Sequence, residues 1–370
     1  MKVPFVDLKR QHDALQPDLG EAVQAVIDET AFISGAYADE FESSFASFLG
    51  VDHVVGCGNG TDALELALRS MGVGAGDEVI VPALTWISTS EAVTSAGARP
   101  IFADIDPETY TINPEDVARK ISEDTVAILP VHLYGHPADM PALCELADAH
   151  NLQVLEDCAQ AHGASLNGQM MGAWGDAAIF SFYPSKNLGA WGDAGAVATD
   201  AADIAHRARL LANHGQEEKH HHQIEGRNSR LDGLQAAVLS AKLPHLDDWN
   251  QRRRHHAAEY EKGLSSVGNI SSPSSRPGAE HVYHLYVVET PRRDTLQFFL
   301  NGQGASTSVH YPTACPFQPC YADRDHVPED FPVAHQATQR ILSLPMFPEM
   351  TDAEREHVIN CIQRFPPADG

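Results

Sequence analysis

The chain of 370 residues is 43% hydrophobic and 21% charged, which excludes disordered, collagen-like and disulfide-stapled classes. Lysine and arginine number 25 against 51 aspartates and glutamates, a formal net charge of −26. So acidic a chain repels phosphate backbones and anionic lipid, and neither nucleic acid nor a membrane is an expected partner.

The six cysteines, at 57, 144, 158, 315, 320 and 361, form no CxxC pair and read as buried reduced thiols. No run approaches the ~20 apolar residues of a membrane helix, and the first residues lack the apolar core of a signal peptide, so the expectation is a cytoplasmic protein. The 20 histidines include the run His220, His221 and His222, but they bring no HExxH and no cysteine at zinc spacing, so no metal is expected.

Short apolar runs rich in Val and Ile predict buried strands at His53–Cys57, Glu78–Pro82, Pro100–Asp104, Thr125–Val131, Leu152–Glu156, Ala177–Phe182 and Gly195–Thr199. Helical periodicity lies between most of them, as in Asp62–Met71 and Met140–His150. Strands alternating with helices define an α/β fold, here a mostly parallel seven-stranded sheet sandwiched by helices. Long helical runs follow at Ala202–Asn213 and Leu231–Tyr260, the second interrupted by Pro244. After a Ser-, Pro- and Gly-rich stretch, Ser265–Gly278, the run His281–Glu289 alternates like a half-exposed strand, and Asp294–Asn301 and Phe331–Ile341 read as helices. Residues 1–244 are expected to form a large domain with an N-terminal arm, and residues 245–370 a smaller C-terminal α+β domain.

In open α/β sheets ligands bind beyond the carboxyl ends of the strands, and four such ends carry chemistry. Gly56-Cys-Gly-Asn-Gly-Thr-Asp62 is a glycine-rich turn leading into a helix, whose free N–H groups and positive dipole end favour a phosphate; Thr61 is placed to cap that helix. A tight turn with no ligand accounts for this run equally well, and it is not the GxGxxG of a dinucleotide site. Glu156 and Asp157 close an apolar strand; side chains alternate, so one of them faces the crevice, and Asp157 is the choice. A carboxylate there would hold a ring nitrogen protonated. Lys186, in Ser181-Phe-Tyr-Pro-Ser-Lys186-Asn-Leu-Gly, is placed as a Schiff-base amine, provided that burial overcomes its ordinary charge. Trp86 ends the second strand with a flat ring. An anion cradle, a carboxylate, an amine and a stacking face are the parts that a pyridoxal phosphate site requires.

Over nearly its whole length the chain resembles the nucleotide-sugar aminotransferases of the DegT/StrS family, which share the fold type I architecture of aspartate aminotransferase. The resemblance runs through VPFVDLKRQ, NGTDALELAL, GDEVIVPALTWIST, LEDCAQAHGA, FSFYPSKNLGAWGDAGA, NSRLDGLQAAVLSAKL and LSLPMFPEMT. It implies that Lys186 binds pyridoxal 5'-phosphate covalently and acts as the base. Asp157 would pair with the ring nitrogen and Gln160 lie near the phenolic oxygen. Trp86 would stack on the ring, and Gly60, Thr61 and Ser181 would hold the phosphate. An Asn at the position of Asn228 reaches the phosphate from the neighbouring subunit, so a homodimer with shared active sites is implied. Arg230, His310 and Tyr311 match positions of the sugar-nucleotide site. The partners implied are glutamate as amino donor and a nucleotide-linked keto-sugar.

Two positions depart from the pattern: Pro316 stands where a histidine is frequent, and Ala194 where a second glycine is frequent. Lys186 argues against a sugar dehydratase, in which histidine replaces the lysine. Lys186 with Asp157 argues against a non-catalytic ligand sensor, and the missing GxGxxG against a nicotinamide-dependent dehydrogenase. The segment Asn213–Asp232 resembles members acting on 3-keto sugars, with 4-keto sugars the alternative.

Overall fold

Seven short strands form one sheet in the computed structural model, which describes residues 1–272 and 274–366. Pro273, in the Ser- and Pro-rich stretch, and residues 367–370, the end of the expected C-terminal domain, lie outside the described residues. The strands are β1 (His53–Cys57), β2 (Glu78–Pro82), β3 (Arg99–Ala103), β4 (Thr125–Ile128), β5 (Gln153–Asp157), β6 (Ala177–Ser181) and β7 (Gly195–Thr199). Their spatial order is β1-β7-β6-β5-β4-β2-β3. Only β7 runs against its neighbours, pairing antiparallel with both β1 and β6, while the rest pair in parallel. The carboxyl ends of β1, β2, β5 and β6 therefore lie along one edge.

Both faces of the sheet are buried. Along β2, Val79 and Val81 enter one apolar cluster and Ile80 the other; along β6, Ala177 and Ile179 part from Ala178 and Phe180 in the same way. This is the two-residue period of a pleated strand. On the second face Phe41 and Phe45, from the helix Ala36–Leu49, meet Phe180 and Phe182 edge-on, with ring centroids 4.9–5.3 Å apart.

A two-stranded antiparallel ribbon, β8 (Tyr286–Glu289) with β9 (Ile341–Leu344), belongs to a third apolar cluster together with residues of the helices Leu246–Leu264, Arg293–Gly302 and Asp352–Gln363. Val3 joins this cluster from the other end of the chain, bridging to Ala305. Arg10 fixes the arm further through two bonds of 2.7 Å to the Glu354 carboxylate.

Three expectations are corrected. The strand foreseen at Thr125–Val131 ends at Ile128, because Pro130 has no N–H to extend the ladder; Leu129 N–H still reaches the Ile80 carbonyl. In His281–Glu289 only Tyr286–Glu289 is strand, since the N–H groups of Val282 and Leu285 go to the carbonyls of Gly135 and Tyr134. The thiols are not all buried: all six are free, but Cys320 is exposed and Cys144 intermediate. No helix among the described residues is long and apolar enough to cross a membrane.

Candidate active site

The turn after β1 begins a helix, Gly60–Ser70, capped by Asn59, whose Oδ1 accepts from Asp62 N–H at 2.8 Å. The expectation that Thr61 caps this helix is thereby corrected: Thr61 lies one position inside it, its hydroxyl 2.7 Å from that of Ser88. Asn59 O takes the Ala63 N–H, so the N–H groups of Gly60 and Thr61 are the helix's free donors among the described residues. The turn lies tight against the neighbouring strand ends. A Cβ on Gly60 would stand 2.6 Å from Ser181 Cβ, and one on Gly195 2.4 Å from Asn59 O. Asp62 would repel an anion here, but Arg227 binds its carboxylate at 2.8 Å and the Ser229 hydroxyl donates to it at 2.6 Å.

Asp157 and Glu156 face opposite ways. Asp157, 5% exposed at the end of β5, accepts from Ala159 N–H and from the Thr89 hydroxyl, each at 3.1 Å. Burial pushes its carboxyl up; the Ala159 N–H and the Lys186 charge oppose this. Glu156 is fully buried on the other side, where its oxygens accept from His132 Nε2 and from the N–H groups of Gly172, Trp174 and Gly175. His132, Glu156 and Cys158 bring ligand-type atoms within 4.8 Å of one another. With four N–H donors on the carboxylate, and His132 Nδ1 accepting from Ala138 N–H, His132 and Glu156 form a hydrogen-bonded brace.

Lys186 follows β6, partly buried, its N–H bonded to the Tyr183 carbonyl. Burial lowers its pKa from 10.5 to about 8, with the Asp157 charge opposing. An amine of that pKa is about one-tenth free base at pH 7, where an ordinary lysine is about one part in several thousand.

Trp86, 56% exposed beyond β2, has its ring 5.6 Å from that of Tyr311. Gln160 Oε1 accepts from Tyr134 N–H at 2.7 Å, so its Nε2 faces outward and donates to the Tyr311 hydroxyl at 3.1 Å. His310 has Nδ1 2.8 Å from Ser343 Oγ and its ring stacked on Phe5 at 5.6 Å. Burial, and then the Lys186 charge, lower its pKa to about 4, so it is neutral.

The strand ends thus bring Gly60, Thr61 and Ser181 together around one helix N-terminus, place Asp157 and Lys186 within each other's electrostatic influence, and join Trp86 and Gln160 to Tyr311. Asn228, exposed, bridges to Asn213, and Arg230 donates weakly to Asn213 Oδ1 at 3.4 Å; among the described residues neither hydrogen-bonds to these groups. Of the departures, Ala194 is buried, lacks the left-handed φ that would demand glycine, and accepts from Phe182 N–H. Pro316 is buried in the short 3₁₀ turn Cys315–Phe317. Sequence reasoning missed Thr89, which holds Asp157, and the bond between His284 and Asn187, the residue after Lys186. No sequence period marks them, since their partners come from remote segments.

A depressed lysine, a carboxylate, a free helix N-terminus and an open aromatic face fit an aromatic aldehyde phosphate. On this sheet they define a fold type I pyridoxal phosphate-dependent aminotransferase. The chain is 44% identical over 364 residues to dTDP-3-amino-3,4,6-trideoxy-alpha-D-glucose transaminase of Streptomyces venezuelae, covering 98% of this chain and 96% of that protein. It is 46% identical over 359 residues to the erythromycin biosynthesis sensory transduction protein EryC1 of Saccharopolyspora erythraea, covering 97% and 98%. The crystal structure of S. venezuelae DesV in complex with a ketimine intermediate superposes with a TM-score of 0.96 at 44% identity, covering 98% of each chain. That of NtdA from Bacillus subtilis with bound cofactor PMP gives 0.91 at 31% identity, covering 98% of this chain and 85% of that one. The chain belongs to the DegT/DnrJ/EryC1/StrS aminotransferase family, whose model matches residues 14–363.

Proposed function

We propose that the protein transfers the amino group of glutamate to the keto carbon of a nucleotide-linked sugar, a 3-keto hexose, 6-deoxyhexose or hexuronate. The observation that carries this reading is the placement of Lys186 just beyond one strand end and of buried Asp157 at the next, with burial lowering the lysine's pKa to about 8. The 3-amino sugar in the name of the Streptomyces relative supports the position.

Pyridoxal phosphate, when bound, supplies an aldehyde for the lysine and a sink for the electrons left on the substrate carbon. Lys186 would bind it covalently and, once displaced by the amino donor, carry the α-proton as general base. Asp157 would hold the proton of the ring nitrogen, because a carboxylate beside it favours the charged form. The Gly60 and Thr61 N–H groups and the Ser181 hydroxyl would bind the phosphate, with Asn228 of the partner subunit completing the site in a homodimer. Trp86 would cover the ring, and the second Nε2 hydrogen of Gln160 would meet the phenolic oxygen. Arg230, His310 and Tyr311 would hold the sugar nucleotide. The division into residues 1–244 and 245–370 would place the cofactor on the larger part.

The test is turnover of a panel of 3-keto and 4-keto nucleotide sugars with glutamate. Amination confined to 4-keto sugars would move the assignment, and the cofactor link of wild type, reducible by borohydride, should vanish in Lys186→Ala. A wild type that gains no aldimine absorbance on adding pyridoxal phosphate refutes the reading. The relative named for sensory transduction favours a second reading, a sugar-nucleotide-binding regulator, which would bind the cofactor and turn over no member of the panel.

A further inference from the structure

Thr89 ties together the two chain segments that carry Asp157 and Trp86. It lies in the first turn of the helix Ser88–Ser95, which follows β2. Its N–H donates to the Trp86 carbonyl at 3.2 Å, and its hydroxyl donates to Asp157 Oδ2 at 3.1 Å. Because β4 lies between β2 and β5, this bond reaches across a whole strand. A helical threonine ordinarily turns its hydroxyl back to a carbonyl three or four residues earlier. Here the carbonyl four residues earlier, that of Thr85, accepts from Cys315 Sγ at 3.3 Å, and the Thr89 hydroxyl lies instead 3.0 Å from the Thr85 hydroxyl. Both threonines are buried. A carboxylate has no proton to give, so against ionised Asp157 the one hydroxyl proton of Thr89 goes to Oδ2, and Thr85 donates to Thr89. Asp157 Oδ1 takes the Ala159 N–H at 3.1 Å. Each carboxylate oxygen thus has its own fixed donor, and rotation of the group breaks both bonds.

We propose that Thr89, backed by Thr85, is a positioning residue that fixes the plane of the Asp157 carboxylate for a protonated ring nitrogen. The proposal rests on reading Asp157 as the partner of that nitrogen. Burial works against the charged form of Asp157, while the Ala159 N–H, the Lys186 charge and the Thr89 hydroxyl work for it. The hydroxyl can be removed with little change of shape, since valine puts a methyl group in its place. What valine takes away is the donor at Oδ2 and the acceptor of the Thr85 proton, both in a site closed to water. The carboxylate is then held at Oδ1 alone and can turn about that bond.

The experiment compares the affinity of cofactor-free protein for pyridoxal phosphate with that for its deaza analogue, in which C–H replaces the ring nitrogen. Both are titrated by absorbance, beside the melting temperature. The ratio of the two dissociation constants isolates the ring nitrogen, because every other contact is common to both. Wild type should prefer pyridoxal phosphate. In Thr89→Val that preference should fall about tenfold, the scale of one hydrogen bond to a charged group, and Thr89→Ser, which keeps the hydroxyl, should restore it. Thr85→Val leaves the bond to Asp157 but removes its support and should lose part of the preference; it decides the matter if Thr89→Val does not fold. Equal weakening of both cofactors, or a lowered melting temperature with the wild-type preference, makes Thr89 merely structural and overturns the proposal. A raised preference overturns it as well, since a carboxylate that lost a donor but kept its place would only become more basic. A wild type that binds both equally overturns the pairing of Asp157 with the ring nitrogen, and the proposal with it. A wild-type preference that Thr89→Val leaves unchanged overturns the proposal alone.

Discussion

Gly60→Ala tests the proposed phosphate cradle directly. The new methyl would stand 2.6 Å from Ser181 Cβ and 3.2 Å from its Cα, where carbon atoms ordinarily rest about 3.5–4.0 Å apart. Neither partner can rotate away, since both positions are fixed by backbone. Two effects oppose each other. Alanine in place of glycine in a helix is favourable by roughly 0.5–1 kcal/mol, whereas overpacking costs about 1–3 kcal/mol, so the clash wins. Relief must come from moving the Gly60–Thr61 backbone away from the end of β6, which displaces the two free N–H groups. A displacement costing about 1.4 kcal/mol of binding is a tenfold weaker affinity. Titration of the apoprotein with pyridoxal phosphate, followed by absorbance, should therefore show at least about a tenfold higher Kd, and denaturant unfolding a lower midpoint. Gly74→Ala is the control, because a Cβ there meets nothing within 4 Å. Adding Ser181→Gly to Gly60→Ala removes the closest contact and should recover stability, though not the affinity owed to the Ser181 hydroxyl. Unchanged cofactor affinity in Gly60→Ala, or no recovery of stability in the double variant, would refute the reasoning.

Glu156→Ala strands three backbone N–H groups and His132 Nε2 in a fully buried place, so a loss of about 3–5 kcal/mol in denaturant unfolding is expected, with Glu156→Gln intermediate. Acid should loosen the N-terminal arm: the hydrogen bonds from Arg10 lower the Glu354 pKa from 4.5 to about 2, so their contribution is present above pH 4.5 and lost as pH falls towards 2. Hydrogen exchange of residues 1–15 across that range should show the release, and Glu354→Gln should abolish its pH dependence.

Much of the large sheet was legible because its strands are buried on both faces, so short Val- and Ile-rich runs mark them without help from partners. β1, β2 and β7 fall where expected to the residue. The alternation that separates Asp157 from Glu156 is likewise a local property of the pleat. The run His281–Glu289 misled because an alternating pattern does not say where backbone donors go; here Gly135 and Tyr134 take them. The cap of the helix after β1 was misread for a related reason: both Asn59 and Thr61 suit a cap, and only the chain's path into Gly60 selects between them.

By itself the sequence determined the α/β alternation, the residue types at the strand ends and the resemblance that joins them into one cofactor site. Those are properties of short segments and of their order along the chain. The tertiary structure decided which groups act on one another over long separations: Thr89 on Asp157, Tyr134 on Gln160, and Asn250 and His284 on Asn187. It also decided how far Lys186 is withdrawn from water, which lowers its pKa to about 8, because desolvation depends on what surrounds a side chain from every direction and not on its neighbours in sequence.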